Sequence, residues 1–91
     1  MRLLIRRDDG SWLVDAQIEL HELERSLAGG GLAMSTEFTT LAGLILGTLR
    51  RIPHPGEVVI VNQWRLEVVD IDVNRIDKVI ITRLSGRSTG L

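Results

Sequence analysis

At "PHPG", Pro53 to Gly56, the hydrophobic period of the chain changes. Before it, "TLAGLILGTLRRI" repeats its apolar residues every three or four positions. After it, "EVVIV", "WRLEVVDIDV" and "RIDKVIITRL" repeat them every second position. A strand turns successive side chains to opposite faces, whereas a helix returns to one face every 3.6 residues. A chain that switches here, at a proline-containing turn, keeps its helices apart from these strands. Such segregation points to the α+β class: an antiparallel sheet with two helices packed on one face.

"EVVIV" and "WRLEVVDIDV" form a hairpin turning near Asn62-Gln63, and a turn at Asp72-Val73-Asn74 leads into "RIDKVIITRL". Along the middle strand, Leu66 and Val68 fall on one parity and Val69, Ile71 and Val73 on the other. That slip predicts a β-bulge near Val68–Asp70. The N-terminus reads as a further hairpin, residues 2–7 and 11–16, turning on Asp9-Gly10. Asp-Gly suits a two-residue turn because both central positions accept positive φ.

Between these strand pairs lie two helical patterns. The first covers residues 19–27, with Leu20, Leu23 and Leu27 on one face and Glu19 and Glu22 in the first turn, where the helix dipole favours anions. Gly29-Gly30-Gly31 stops it. The second covers residues 36–51, capped by Ser35 or Thr36, with Phe38, Leu41, Ala42, Ile45, Leu49 and Ile52 on one stripe. Pro53 ends it. Gly43 and Gly47 lie on the far side with Thr40, Arg50 and Arg51, four residues apart, the small-xxx-small spacing of packed membrane helices. Each glycine costs a helix about 1 kcal/mol relative to alanine. The pair therefore predicts a close neighbour, either the Leu20–Leu27 helix or a partner.

The longest uncharged stretch runs from Phe38 to Leu49, twelve residues. As a helix it reaches about 18 Å, short of a hydrocarbon core of about 30 Å. The chain thus reads as one soluble domain over residues 1–84, in the order β-β-α-α-β-β-β, with a polar, frayed tail at 85–91.

No chemistry declares itself. Cysteine is absent, which removes thiolate nucleophiles and thiolate zinc sites. Eleven Lys and Arg face twelve Asp and Glu, so there is no basic excess to hold nucleic acid or an anionic membrane. His21 and His54 have no metal-binding spacing and read as solvated side chains. The serines lack a nucleophile elbow. "AGGGLAMS" lacks the Gly-Lys-Ser/Thr of a phosphate loop. "DIDVNRID" starts like a calcium loop, but Arg75 stands where that loop needs glycine, and Ile81 where it needs a bidentate Glu. Asp70, Asp72 and Asp77 remain weak candidates for surface binding of a divalent cation. Phe38 reads as core, and Trp12 and Trp64 as core or interface.

"DDGSWLVDA", then "TLAGLILGTLRRIPHPGE", then "WRLEVVDIDVNRIDKVIIT" together resemble the CorC/HlyC transporter-associated domain. The most specific parts are Thr40-Leu41-Ala42-Gly43, Arg51-Ile52-Pro53, Pro55-Gly56-Glu57 and the Arg75-Ile76 pair. Thr40, Gly43, Gly47, Pro53, Gly56 and Arg75 are thus structural-signature or partner-surface positions. The chain departs from the family's usual pattern at Ala16, Thr39 and the turn before Trp64. The resemblance carries no catalytic residue. It implies a regulatory or accessory domain closing a larger bacterial protein of the magnesium/cobalt efflux or hemolysin-like type. Its partners would be a CBS-domain pair, a membrane domain or a second copy, on the cytoplasmic side of the inner membrane. These 91 residues would then be a piece of a longer protein. The family's fold looks like part of a flavoenzyme FAD-binding domain, so FAD enters by fold analogy alone, without a GxGxxG fingerprint. The alternative reading is a small-ligand module for FAD, a nucleotide or a divalent cation.

Overall fold

A computed structural model describes residues 3–27 and 37–84. The three-glycine stop, the caps assigned to Ser35 or Thr36 and the tail at 85–91 lie outside the described residues. The elements are β1 (Leu4–Arg6), β2 (Trp12–Asp15), α1 (Leu20–Ser26), α2 (Leu41–Leu49), β3 (Val58–Val61), β4 (Trp64–Asp72) and β5 (Arg75–Arg83). All strands join one antiparallel sheet in the order β1-β2-β5-β4-β3. This is the α+β architecture expected from the change of period.

The sheet is built around β5. Its Val79 and Ile81 pair with Val14 and Trp12 on one side and with Val68 and Leu66 on the other. Val14, Leu66, Val68, Val79 and Ile81 are all fully buried, one face of three adjacent strands. The helices add Leu20 and Leu23 from α1, and Leu41, Ala42, Leu44 and Ile45 from α2. Burying a side chain of this size contributes about 1.5–3 kcal/mol, so this shared cluster dominates the stability of so short a chain.

The bulge is where the parity slip places it. Val68 pairs with Val79 and Asp70 with Lys78, leaving Val69 extra on β4. A second irregularity follows at once. Ile71 pairs with Ile76, so Asp77 is extra on β5. The two offsets compensate, and Ile71 stays packed against the core although Val69 does not.

Three expectations change. The first hairpin does not turn on two residues: Arg7 N–H donates to Ser11 O (2.8 Å) and Gly10 N–H to Arg7 O (3.0 Å). Asp8, Asp9 and Gly10 form the turn, and of these only Gly10 has positive φ, +88°. This is the type I turn with a glycine bulge, which needs one left-handed residue rather than two. The second helix begins at Leu41, not near residue 36. Its stripe shortens accordingly: Phe38 precedes the helix, and Ile52 lies beyond it, 46% exposed.

Candidate functional site

Thr40 and Gly43 meet where the two helices start, whereas Pro53 and Gly56 follow the C-terminal end of α2 and Arg75 lies at the β4–β5 turn. Thr40 is the N-cap of α2, its Oγ1 accepting from Gly43 N–H at 3.1 Å. Thr40 also forms a single antiparallel bridge with Glu19, the residue before α1. Around it, Leu20 N–H donates to Thr39 O (2.8 Å), Leu41 N–H to Ile18 O (3.1 Å) and Ala42 N–H to Ala16 O (2.7 Å). The first amide of α1 and the first three of α2 are thereby satisfied by chain rather than water.

The glycine face has a different neighbour from either one expected. A Cβ on Gly47 would overlap the Phe38 ring, and one on Gly43 would come 3.3 Å from Thr40 Oγ1. The pair therefore admits the chain's own Phe38 and its own cap. Nor does Pro53 terminate the helix. Arg50 takes the left-handed conformation, φ 61°, and donates its N–H to Leu46 O at 2.7 Å, closing α2 three residues earlier. Pro53 is buried beyond that cap.

His54-Pro55-Gly56-Glu57 then makes a turn, with Glu57 N–H donating to His54 O at 3.0 Å and Gly56 at φ +89°. Proline followed by a left-handed glycine is the type II pattern. Nη1 and Nη2 of Arg51 both donate to the Glu57 carboxylate, which also accepts from His54 N–H at 2.9 Å. The Arg51 hydrogen bond holds the Glu57 carboxyl below its ordinary range, and Glu57 raises Arg51 in return.

The acidic turn is divided by cations. Lys78 lies opposite Asp70 and Asp15 in the sheet, with Nζ 2.7 Å from Asp77 Oδ2. Its hydrogen bond lowers Asp77, while Asp77 first, then Asp70 and Asp15, raise Lys78. Asp72 pairs instead with the exposed Arg75 across the turn. Among the described residues no three His, Cys, Asp or Glu side chains are placed to hold a metal ion.

The sheet's other face carries residues that periodicity left unclaimed. Ile5, Leu13, Ile80, Glu67 and Val58 align across the strands, and Arg65 pairs with Ile60 and Thr82 in the neighbouring row. Ile5 (48%), Val58 (37%) and Ile60 (53%) are exposed, and an Arg65–Glu67 ion pair at 3.1 Å divides them. The signal was the opposite parity in "VVIV", legible only once the inward face is known. No described helix is long and apolar enough to cross a membrane.

Residues 5–85 match the sequence model of the CorC_HlyC family, described as a transporter-associated domain. The chain is 35% identical over 85 residues to a polyamine export protein of Salmonella typhimurium, covering 93% of this chain and 19% of that protein. With the polyamine export protein of Escherichia coli K12 the identity is 33% over 88 residues, 97% of this chain and 20% of that protein. The chain thus spans about a fifth of these curated relatives. Among solved structures, the transporter-associated domain of a Xylella fastidiosa hemolysin superposes with TM-score 0.79 at 38% identity, covering 91% of this chain and 96% of that one. The same domain was solved in complex with Mg++ and Mn++ (TM-score 0.78). The domain from a CBS domain protein of Porphyromonas gingivalis superposes with TM-score 0.80 at 25% identity, covering 90% of this chain and 98% of that one.

Proposed function

Because the chain belongs to the CorC/HlyC family of transporter-associated domains, we propose that it is a non-catalytic accessory domain of a larger membrane exporter of cations. It would sit on the cytoplasmic side and modulate export by docking on neighbouring domains or on a second copy. The observation that carries this reading is one of proportion. A chain matching a fifth of two exporters spends its signature residues on its own scaffold: Thr40 caps, Gly47 seats Phe38 and Gly56 turns. Polyamines, magnesium and cobalt are the cargo classes to be told apart, the first from the relatives' names. The CBS-domain pair is a further partner in this reading, supported by the Porphyromonas gingivalis parent.

The test is in-frame removal of residues 3–84 from the gene that carries them, followed by growth and export assays in excess spermidine, Mg²⁺ and Co²⁺. Altered tolerance to at least one cation, with the parent still in the membrane at normal abundance, is the expected result. Unchanged export of all three would overturn the proposal.

A cation-binding module is the second reading, favoured by the Mg++ and Mn++ complex of the Xylella fastidiosa relative. Asp70 and Asp77 are its candidates, with Asp72 across the turn. Lys78 already supplies Asp77 with a cation and would have to be displaced. Calorimetric titration of the chain with Mg²⁺, Mn²⁺, ATP and FAD separates the two readings, since an accessory scaffold alone gives no heat.

A further inference from the structure

The sheet ends in two edges of different character. The β1 edge is three residues long and runs into Arg6, Arg7, Asp8 and Asp9, with the Arg6 guanidinium 5.5 Å over the Trp12 ring. Charge of this kind is how sheets discourage further pairing. The β3 edge, Val58-Val59-Ile60-Val61, has no charge, proline or bulge, and every residue is β-branched. No described strand pairs with its outer side.

The register states which backbone groups that edge presents. Val61 and Trp64 flank a two-residue turn, Val59 lies opposite Leu66, and Val68 N–H donates to Glu57 O. Hydrogen-bonded pairs alternate along an antiparallel ladder. Val59 and Val61 therefore spend their N–H and C=O groups on β4, and Glu57 its C=O. Those of Val58 and Ile60 point away from the sheet. Their side chains stand on the open face, 37% and 53% exposed.

We propose that β3 pairs antiparallel with β3 of a second copy about a two-fold axis through Val59. Val58 of each copy then lies opposite Ile60 of the other. Each such pair exchanges two N–H···O=C bonds, and the symmetry makes two pairs, which uses all four outward backbone groups. Each pair also sets an exposed valine against an exposed isoleucine on the same face, a favourable cross-strand contact. A two-fold contact must be self-complementary, and a strand with two outward residues spaced two apart meets that condition. The formal charge of −1 sets up little repulsion between copies. The inference concerns a surface and stands whether or not the domain modulates export.

The contact is small. A four-residue edge covers far less than the roughly 1,200 Å² of a stable interface. Separate chains pair weakly and exchange fast, whereas copies held close by the rest of a parent protein pair through effective concentration.

Cysteine mixing tests both pairing and register, because the chain has no cysteine of its own. Opposed residues in a hydrogen-bonded pair have Cα atoms about 5.5 Å apart, within disulfide reach. Two copies of Val58, or two of Ile60, would be about 8–9 Å apart, beyond it. A mixture of V58C and I60C at millimolar concentration under mild oxidation should give mainly the mixed dimer. Either variant alone should give several-fold less. The amides of Val58 and Ile60 should also shift with dilution in NMR spectra of the unmodified chain. Ile60→Lys should abolish that shift while leaving the circular dichroism spectrum unchanged. Equal cross-linking in all three samples overturns the register. A chain that stays monomeric at millimolar concentration, with dilution-independent amides, overturns the second copy as occupant and leaves the edge to a strand from elsewhere.

Discussion

Val73 is the residue whose type fits its place least well. It is 88% exposed and sits in the two-residue turn between β4 and β5 at φ 60°. A left-handed backbone costs a residue with a Cβ roughly 1–2 kcal/mol, and branching at Cβ makes it an outlier. Asparagine tolerates that region, so Val73→Asn should stabilise the chain by about 1 kcal/mol and raise Tm by about 4–8 °C. A melting temperature that stays put or falls would show that Val73 is held by something other than the turn. The sequence locates this turn, since Asp72-Val73-Asn74 interrupts the alternation. It does not say which residue goes left-handed, because residue preference points to Asn74 and the Asp72–Arg75 register selects Val73. Asp9-Gly10 teaches the same lesson. The turn is where the dipeptide says, but the Asp9 carboxylate accepts from Ser11 N–H (2.9 Å) and Oγ (2.6 Å), and the turn closes over three residues instead of two.

At the scale of one element, α2 shows what periodicity can and cannot reveal. Leu41, Ala42 and Ile45 are buried as their spacing predicts. Phe38 shares that spacing, three residues before Leu41, and a period alone cannot say where the backbone starts to coil. The cap decides it, through Thr40 Oγ1 and Gly43 N–H. Once Phe38 is outside the helix, its ring occupies the space that Gly47 leaves open. Gly47→Ala should therefore lower stability by about 1 kcal/mol, the crowding of the ring exceeding the helix-propensity gain. In a Phe38→Ala background the same substitution should raise stability by about 1 kcal/mol, since only the propensity term remains. Urea unfolding of the four proteins measures this coupling. Additive effects would place the ring elsewhere. The bulge was legible for the opposite reason: a parity slip inside a strand is recorded in the order of apolar residues, with no reference to a partner.

At the scale of the molecule, the strand order was the part hardest to read. Hairpins are local, but the β2–β5 pairing joins residues 63 to 69 positions apart, and among the described strand pairings it is the one that ties the N-terminal hairpin to the C-terminal meander. The electrostatics are likewise a property of the folded whole. Asp9, Glu57 and Asp77 are held below the ordinary carboxylate range, by Ser11, Arg51 and Lys78 respectively. With folded values depressed, the unfolded chain binds more protons in acid. Their contribution is present above the ordinary carboxylate range and is lost as pH falls through the folded values. Asp9 is exposed and Glu57 and Asp77 are half-buried at the surface, where solvent still screens them, so the effect is modest. The urea midpoint should be lower at pH 3 than at pH 7, and an equal midpoint would mean that these pairs contribute nothing. The hydrogen bond from Leu20 to Thr39 and the Glu19–Thr40 bridge have a consequence for chain architecture. They fasten both ends of the excursion from residue 20 to residue 39 to the body of the fold. Its closure is thus enforced from outside, and doubling the length of such an excursion costs only about 0.6 kcal/mol of chain entropy. The spacing of α1 and α2 is therefore set by this clasp of Glu19 and Leu20 on Thr39 and Thr40, and not by the number of residues between them.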